Sequence, residues 1–198
     1  MKITLEKLLD WSACSAGRDW FLNQKETDAI KIIEKLISPE IREQIGKEYR
    51  EDGLNWANWL IVRVVNLGRL AQYASYAAKK VLPLFEKAFP NDPRPRKAIA
   101  AARAVPFATD AAITAANDAI IAANTNQSVY NAAIAAARTA WAAVAAADAD
   151  TDRAISLAIE AVGAATRATL AITDIDTYDN SLIDIIQFGI KLIKKEER

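Results

Sequence analysis

The chain has 198 residues with 25 basic and 25 acidic side chains, one cysteine and no histidine. Balanced charge gives no global pull towards nucleic acid, a membrane surface or an acidic partner. The lone Cys14 rules out an intramolecular disulfide and fits a reducing cytoplasm. The missing histidine removes Ser-His-Asp and Cys-His nucleophiles, the usual proton shuttle at neutral pH and nearly every zinc site.

Taken from the start, Met1 to Glu6 lacks the apolar stretch of a signal peptide, because Glu6, Lys7 and Asp10 fall where it would lie. A cytoplasmic protein is therefore expected. Apolar positions recur at helical spacing almost throughout, with no sustained alternation of strand type, which predicts an all-α protein of about nine or ten helices. Leu5 to Trp11 forms the first. Thr27-Asp28 caps a helix carrying Ile30, Ile32, Ile33, Leu36 and Ile37, and Ser38-Pro39-Glu40 starts another: serine accepts from an early N–H, proline loses no helical bond at the first position, and glutamate suits the positive dipole end. Asp52-Gly53 breaks the chain before Leu54 to Val65, which is apolar on most sides and should be central to the core. Asn66-Leu67-Gly68 kinks or ends that helix, Arg69 to Phe89 continues as a long one with a kink expected at Pro83, and Pro90 to Pro95 is a turn.

From Ala98 to Ala171 alanine dominates. Alanine has the highest helix propensity and loses no side-chain entropy on burial, so this low complexity reads as closely packed helix. Ala111 to Asn124, Ala132 to Asp148 and Ala154 to Ala171 are similar segments parted by polar joints, a pattern that predicts a stack of short helical hairpins closing on the N-terminal half. A last helix is expected over Leu182 to Lys195, started by Asn180-Ser181 and ended by Lys191, Lys194 and Lys195. The whole is read as one helical domain, 1–198, with an aromatic and basic half (1–105) and an alanine-rich half (106–198). No segment reaches the roughly 20 strongly apolar residues of a membrane span.

Little chemistry is left for catalysis. There is no Walker-type phosphate loop and no Gly-x-Gly-x-x-Gly, no cofactor is called for, and the chain is expected to bind rather than to catalyse. Asp148, Asp150 and Asp152 alternate like the start of a calcium loop, but Arg153 stands where that loop needs glycine and Ile159 where it needs glutamate. These acids read as caps on a helix beginning near Thr151. Cys14, without a histidine to activate it, reads as a small buried residue.

Charge is uneven along the chain. Between Gly53 and Val105 lie nine basic residues against Glu86 and Asp92, whereas Pro106 to Ile190 carries three basic and ten acidic ones. Either the two halves attract each other or the basic one faces a partner. Arg63 and Arg69 sit in apolar helices, so each should pair with an acid or line a pocket. Tyr73 and Tyr76, with Lys80 a turn beyond, either finish a core or stack a nucleotide. Asp92 is placed to cap a helix starting near Pro93, while Arg94 and Arg96 either pair internally or offer a fork to a partner carboxylate. These eight residues form the candidate binding set.

Three stretches, Ala13 to Phe21, Arg69 to Ala78 and Phe85 to Ile99, resemble the immunity-protein-like family, alanine-rich helical proteins of bacteria, phages and other mobile elements. The aspartate-proline-arginine run Asp92-Pro93-Arg94-Pro95-Arg96 is the most specific part. Many relatives carry two acidic residues before its first proline, where this chain has Asn91-Asp92. The resemblance implies a protein that binds and neutralises a toxin or blunts a host defence, and it brings no catalytic residues. Two other readings stay open: a nucleotide or phosphate binder built on Arg63, Arg69, Tyr73 and Lys80, and a scaffold whose alanine-rich helices self-associate into a homo-oligomer.

Overall fold

The computed structural model describes residues 1–49, 52–103, 114, 117–121, 123, 126–148, 150–170 and 175–196, with the backbone alone for 170 and 175–178. Ten helices are named among these residues: α1 (Leu5–Asp10), α2 (Ser15–Gln24), α3 (Ala29–Leu36), α4 (Pro39–Tyr49), α5 (Gly53–Val64), α6 (Leu67–Ala88), α7 (Arg94–Arg103), α8 (Gln127–Ala147), α9 (Thr151–Leu170) and α10 (Ile175–Lys194). The protein is all-α, as the periodicity predicts. The described β contact is the isolated bridge of Lys2 with Asp28, flanked by Ile3 N–H donating to the Thr27 carbonyl at 2.7 Å.

Helix starts follow local side-chain chemistry. Asp28 accepts from Lys31 N at 3.1 Å, Ser38 from Ile41 N at 3.4 Å, Asp52 from Leu54 N at 2.9 Å and Asn66 from Arg69 N at 3.1 Å. Each acceptor satisfies an amide that the first helical turn leaves without a partner. At Asn66 the chain leaves the helical conformation, so α5 ends there and α6 begins anew. Helix α6 then continues through Pro83, which lies on its exposed side.

Three expectations are corrected. Cys14 is exposed, not buried: it stands just before α2 in an extended conformation, and its Sγ accepts from Gly17 N at 3.4 Å in the position usually held by serine or aspartate. The last helix starts at Ile175, well before Asn180-Ser181, because Asp179 is paired with Arg42 of α4, which ties this early turn to the bundle. The alanine-rich helices are long, not short. Asn126 accepts from both Ser128 N and Val129 N at 2.9 and 3.2 Å, so α8 begins at Gln127 and buries Ser128, which reads as the end of a joint, along with Asn131. The stretch expected as a first hairpin segment, Ala111 to Asn124, lies mostly outside the described residues, with 117–121 helical.

One hydrophobic cluster runs from Ile3 to Ile193. Helix α5 buries Leu54, Ala57, Leu60, Ile61, Val62 and Val64 and touches α3, α4, α9 and α10, which is the central place its all-round apolarity predicts. Helix α6 packs on α7, α8, α9 and α10, and α8 and α9 pair as a hairpin joined at Asp148 to Asp150. Asp150 caps α9 by accepting from Arg153 N at 3.1 Å. Alanines set the spacing around α7. Ala71 of α6, Ala102 of α7 and Ala143 of α8 meet in one buried group, and Ala98 meets Ala137 and Ala140 in another. Side chains this short let helix backbones approach closely, and burying them costs no rotamer freedom. Pro95, Ala98, Ile99 and Ala102 thus turn inward, leaving Arg96, Lys97, Ala100 and Arg103 outward.

Candidate functional site

The structure distributes the eight candidate residues over several places. Arg63 is half-buried, with its guanidinium 4.8 Å from the centre of the Trp59 ring and one N–H directed to the Trp11 carbonyl at 3.4 Å. Burial pushes its pKa down, since the charged form loses hydration. Arg69 donates to the Leu192 carbonyl at 2.5 Å and lies 3.7 Å from Glu196, which also accepts from Asn66 N at 3.1 Å. Together these contacts fasten the start of α6 to the end of α10. Tyr73 is fully buried, its hydroxyl donating to Asn58 Oδ1 at 2.7 Å, and burial raises its pKa far above the ordinary phenol value. A nucleotide site needs Arg63, Arg69, Tyr73 and Lys80 to face a common space. Tyr73 lies in the core, Arg63 is turned to Trp11 and Trp59, and Arg69 is taken by Leu192 and Glu196.

Tyr76 and Lys80 do come together, around Asp184 of α10. The tyrosine hydroxyl donates to the carboxylate at 2.9 Å, Lys80 is ion-paired with the same oxygen and sits 5.2 Å from the tyrosine ring centre, and Phe188 stacks on that ring at 4.1 Å. The lysine hydrogen bond holds the Asp184 carboxyl below its ordinary range, and the tyrosine adds to the effect. The Lys80 ammonium is correspondingly raised by Asp184. This cluster closes α6 onto α10, with Tyr76 and Lys80 both taken by Asp184.

Asp92 and Arg94 form a local clasp in the turn that joins α6 to α7. Asp92 Oδ1 accepts from Arg94 N at 3.0 Å, and the two carboxylate oxygens take the guanidinium at 2.6 to 3.0 Å. The Arg94 hydrogen bonds depress the Asp92 carboxyl, as expected for a charge-assisted, forked pair. Lys97 N closes the first turn of α7 on the Pro93 carbonyl at 2.9 Å. Arg96, largely exposed, reaches back to Glu86 of α6 at 2.6 Å.

Packing of α7 on α6 brings one face of each helix together. A groove of about 350 Å³ runs between α6 and α7, lined by Lys79, Leu82, Arg96, Ile99, Ala100 and Arg103. Lys79 and Arg103 are exposed and have no acid partner among the described residues. The floor is apolar and the rim cationic. Lys79 and Arg103 were legible only as members of a basic stretch; the signal that finds them is spacing, since 79, 82 and 86 recur at one helical interval and 96, 99, 100 and 103 at another. Among the described residues no group of His, Cys, Asp and Glu is placed to hold a metal ion, and no helix is long and apolar enough to cross a membrane.

Fold and face together define an all-α protein that presents its charge on a clasped pair of helices backed by alanine-packed neighbours. Residues 65–179 match the family model described as Imm-5 like putative immunity protein, and the chain belongs to that family. The matched segment includes the Asp92–Arg94 clasp and every residue lining the basic groove. No curated protein and no solved structure was found to match.

Proposed function

We propose that the chain is a non-enzymatic inhibitor that acts by binding a protein partner, a toxin in an immunity pair or a component of antiviral defence, and that it binds through the α6–α7 groove. The observation that carries this reading is the pairing of two cations without an acid partner among the described residues, Lys79 and Arg103, with an apolar floor inside the family-matched segment. An interface of this make-up suits an acidic partner surface: the apolar floor supplies burial, while the cations speed encounter and reject basic surfaces. Arg96, already tied to Glu86, can exchange that surface pair for a partner carboxylate at little cost, because exposed ion pairs contribute at most about 1 kcal/mol.

The test is capture from the native host with the full chain as bait, beside the charge-reversed variant Lys79→Glu/Arg103→Glu. The expected result is a protein retained by the wild type, released by added salt and lost with the variant; expressed alone it impairs growth, and co-expression of this chain restores it. Recovery of the bait alone, or capture indifferent to the reversal, overturns the proposal.

A further inference from the structure

A second cavity lies in the N-terminal helices, outside the family-matched segment, and is separate from the basic groove. It has a volume of about 320 Å³ and is walled by Trp20, Trp56 and Trp59 together with Ile3, Ile32 and Leu60. Ile3, Ile32 and Trp20 are buried, whereas Ser12, Cys14 and Asn55, which also line it, are exposed and mark where it meets solvent. No charged side chain among the described residues lines the cavity. Trp20 is only 2% exposed, yet its indole N–H has no acceptor among the described residues. Buried indole N–H groups usually find a partner, because a donor stripped of water and left unmatched costs a large part of a hydrogen bond.

We propose that this cavity is a binding site for a neutral, largely apolar small molecule with one hydrogen-bond acceptor, a carbonyl or ether oxygen, that receives the Trp20 indole N–H. Size, lining and polarity each restrict the ligand. The volume is at the lower end of the range of about 300 to 1,000 Å³ typical of small-molecule sites, and apolar cavities of roughly half this size admit aromatic molecules. Tryptophan walls favour a flat or aromatic ligand, since Trp20 and Trp56 stand 6.2 Å apart at 57° and offer both a ring face and a ring edge. A charged ligand would surrender its hydration to a lining with no countercharge. Gly17 keeps the space open: a Cβ there would lie 3.3 Å from Cys14 Sγ and 3.9 Å from the Trp56 ring, so any larger side chain projects between α2 and α5.

Benzophenone and its carbonyl-free analogue diphenylmethane separate the two parts of the proposal. In the ¹⁵N-labelled full chain, titration with either is expected to move the indole N–H resonances of Trp20, Trp56 and Trp59. Benzophenone should in addition shift the Trp20 resonance downfield and bind on the order of tenfold more tightly, the effect of satisfying one buried donor. Trp20→Phe, which keeps an aromatic wall and removes the donor, should bind both compounds alike. Gly17→Leu and Ala13→Leu, each checked for native helicity, should bind neither. Unmoved indole resonances with both compounds overturn the proposal. Equal affinity of the pair for the wild type overturns the assigned ligand chemistry, and binding undiminished in both filled variants overturns the location.

Discussion

Replacing Gly189 by alanine should destabilise the protein, against the usual effect of that change in a helix. Glycine inside a helix costs about 1 kcal/mol relative to alanine, so the exchange ordinarily stabilises. At Gly189, however, a Cβ would stand 2.7 and 2.8 Å from two carbons of Ile61 and 2.9 Å from Cε2 of Tyr73. Both neighbours are fully buried, and Tyr73 is further held by its bond to Asn58, so neither can swing aside. Relieving such overlap means pushing α10 away from α5 and α6, at about 2 to 3 kcal/mol for an overpacked core. Subtracting the propensity gain leaves a net loss of about 1 to 2 kcal/mol, or a fall in Tm of about 2 to 8 °C for a chain of this size. Gly163→Ala is the internal control. Its Cβ would meet only the end of the exposed Arg167 side chain, at 3.2 Å, so propensity should prevail and stability should rise by up to about 1 kcal/mol. Thermal melts followed by far-UV circular dichroism, with urea titrations for the free energies, measure both. A Gly189→Ala protein as stable as the wild type would refute the packing of α10 against α5 and α6.

Tyr73→Phe should cost about 1 to 3 kcal/mol in urea titration, because it leaves the buried Asn58 oxygen without its donor; adding Asn58→Leu should recover part of that loss. Asp184→Asn should lower stability at neutral pH by less than about 1 kcal/mol, the scale of a partly exposed pair. The folded Asp184 carboxyl titrates below its ordinary range, so its contribution is fully present above the unfolded carboxylate value and is lost as pH falls through the folded one. Melts of wild type and variant should therefore converge in acid and separate towards neutrality. Lys79→Glu/Arg103→Glu should leave Tm nearly unchanged, as both side chains are exposed and without acid partners among the described residues; a large fall would show that the two cations serve the fold.

What the sequence revealed and what it hid divide by range. Caps at Asp28 and Ser38 were legible because each is a contact between a side chain and an amide three residues on, whereas Asp52 and Asn66, which cap in the same way, were legible only as breaks in the chain. The centrality of α5 was legible because apolar residues cover most of its circumference. The start of α10 was not, because Asn180-Ser181 resembles a cap and the tie that holds the earlier turn, Arg42 to Asp179, spans 137 residues. Cys14 was misread for a related reason: its burial was inferred from residue type, while its position at a helix start decided its exposure. The partners of Arg69, Tyr76 and Lys80 lie on α10 or just past its end, more than 100 residues away, so a sequence could place these side chains on a helix but could not say that they were taken. For Lys79 and Arg103 the reverse holds: each helix shows its spacing locally, but only the packing of α7 on α6 brings the two faces into one groove.

The central claim is that the α6–α7 face meets a protein partner, and chemical cross-linking of the captured complex with an amine-reactive reagent, read by mass spectrometry, tests it most directly. Lys79, Lys87 and Lys97 are exposed on these two helices, Lys25 and Lys31 are exposed beside or on the first three, and Lys7 is half-buried on α1. Partner cross-links should concentrate on Lys79 and Lys97, to lysines beside an acidic segment of the partner. Cross-links confined to Lys7, Lys25 and Lys31 would contradict the claim.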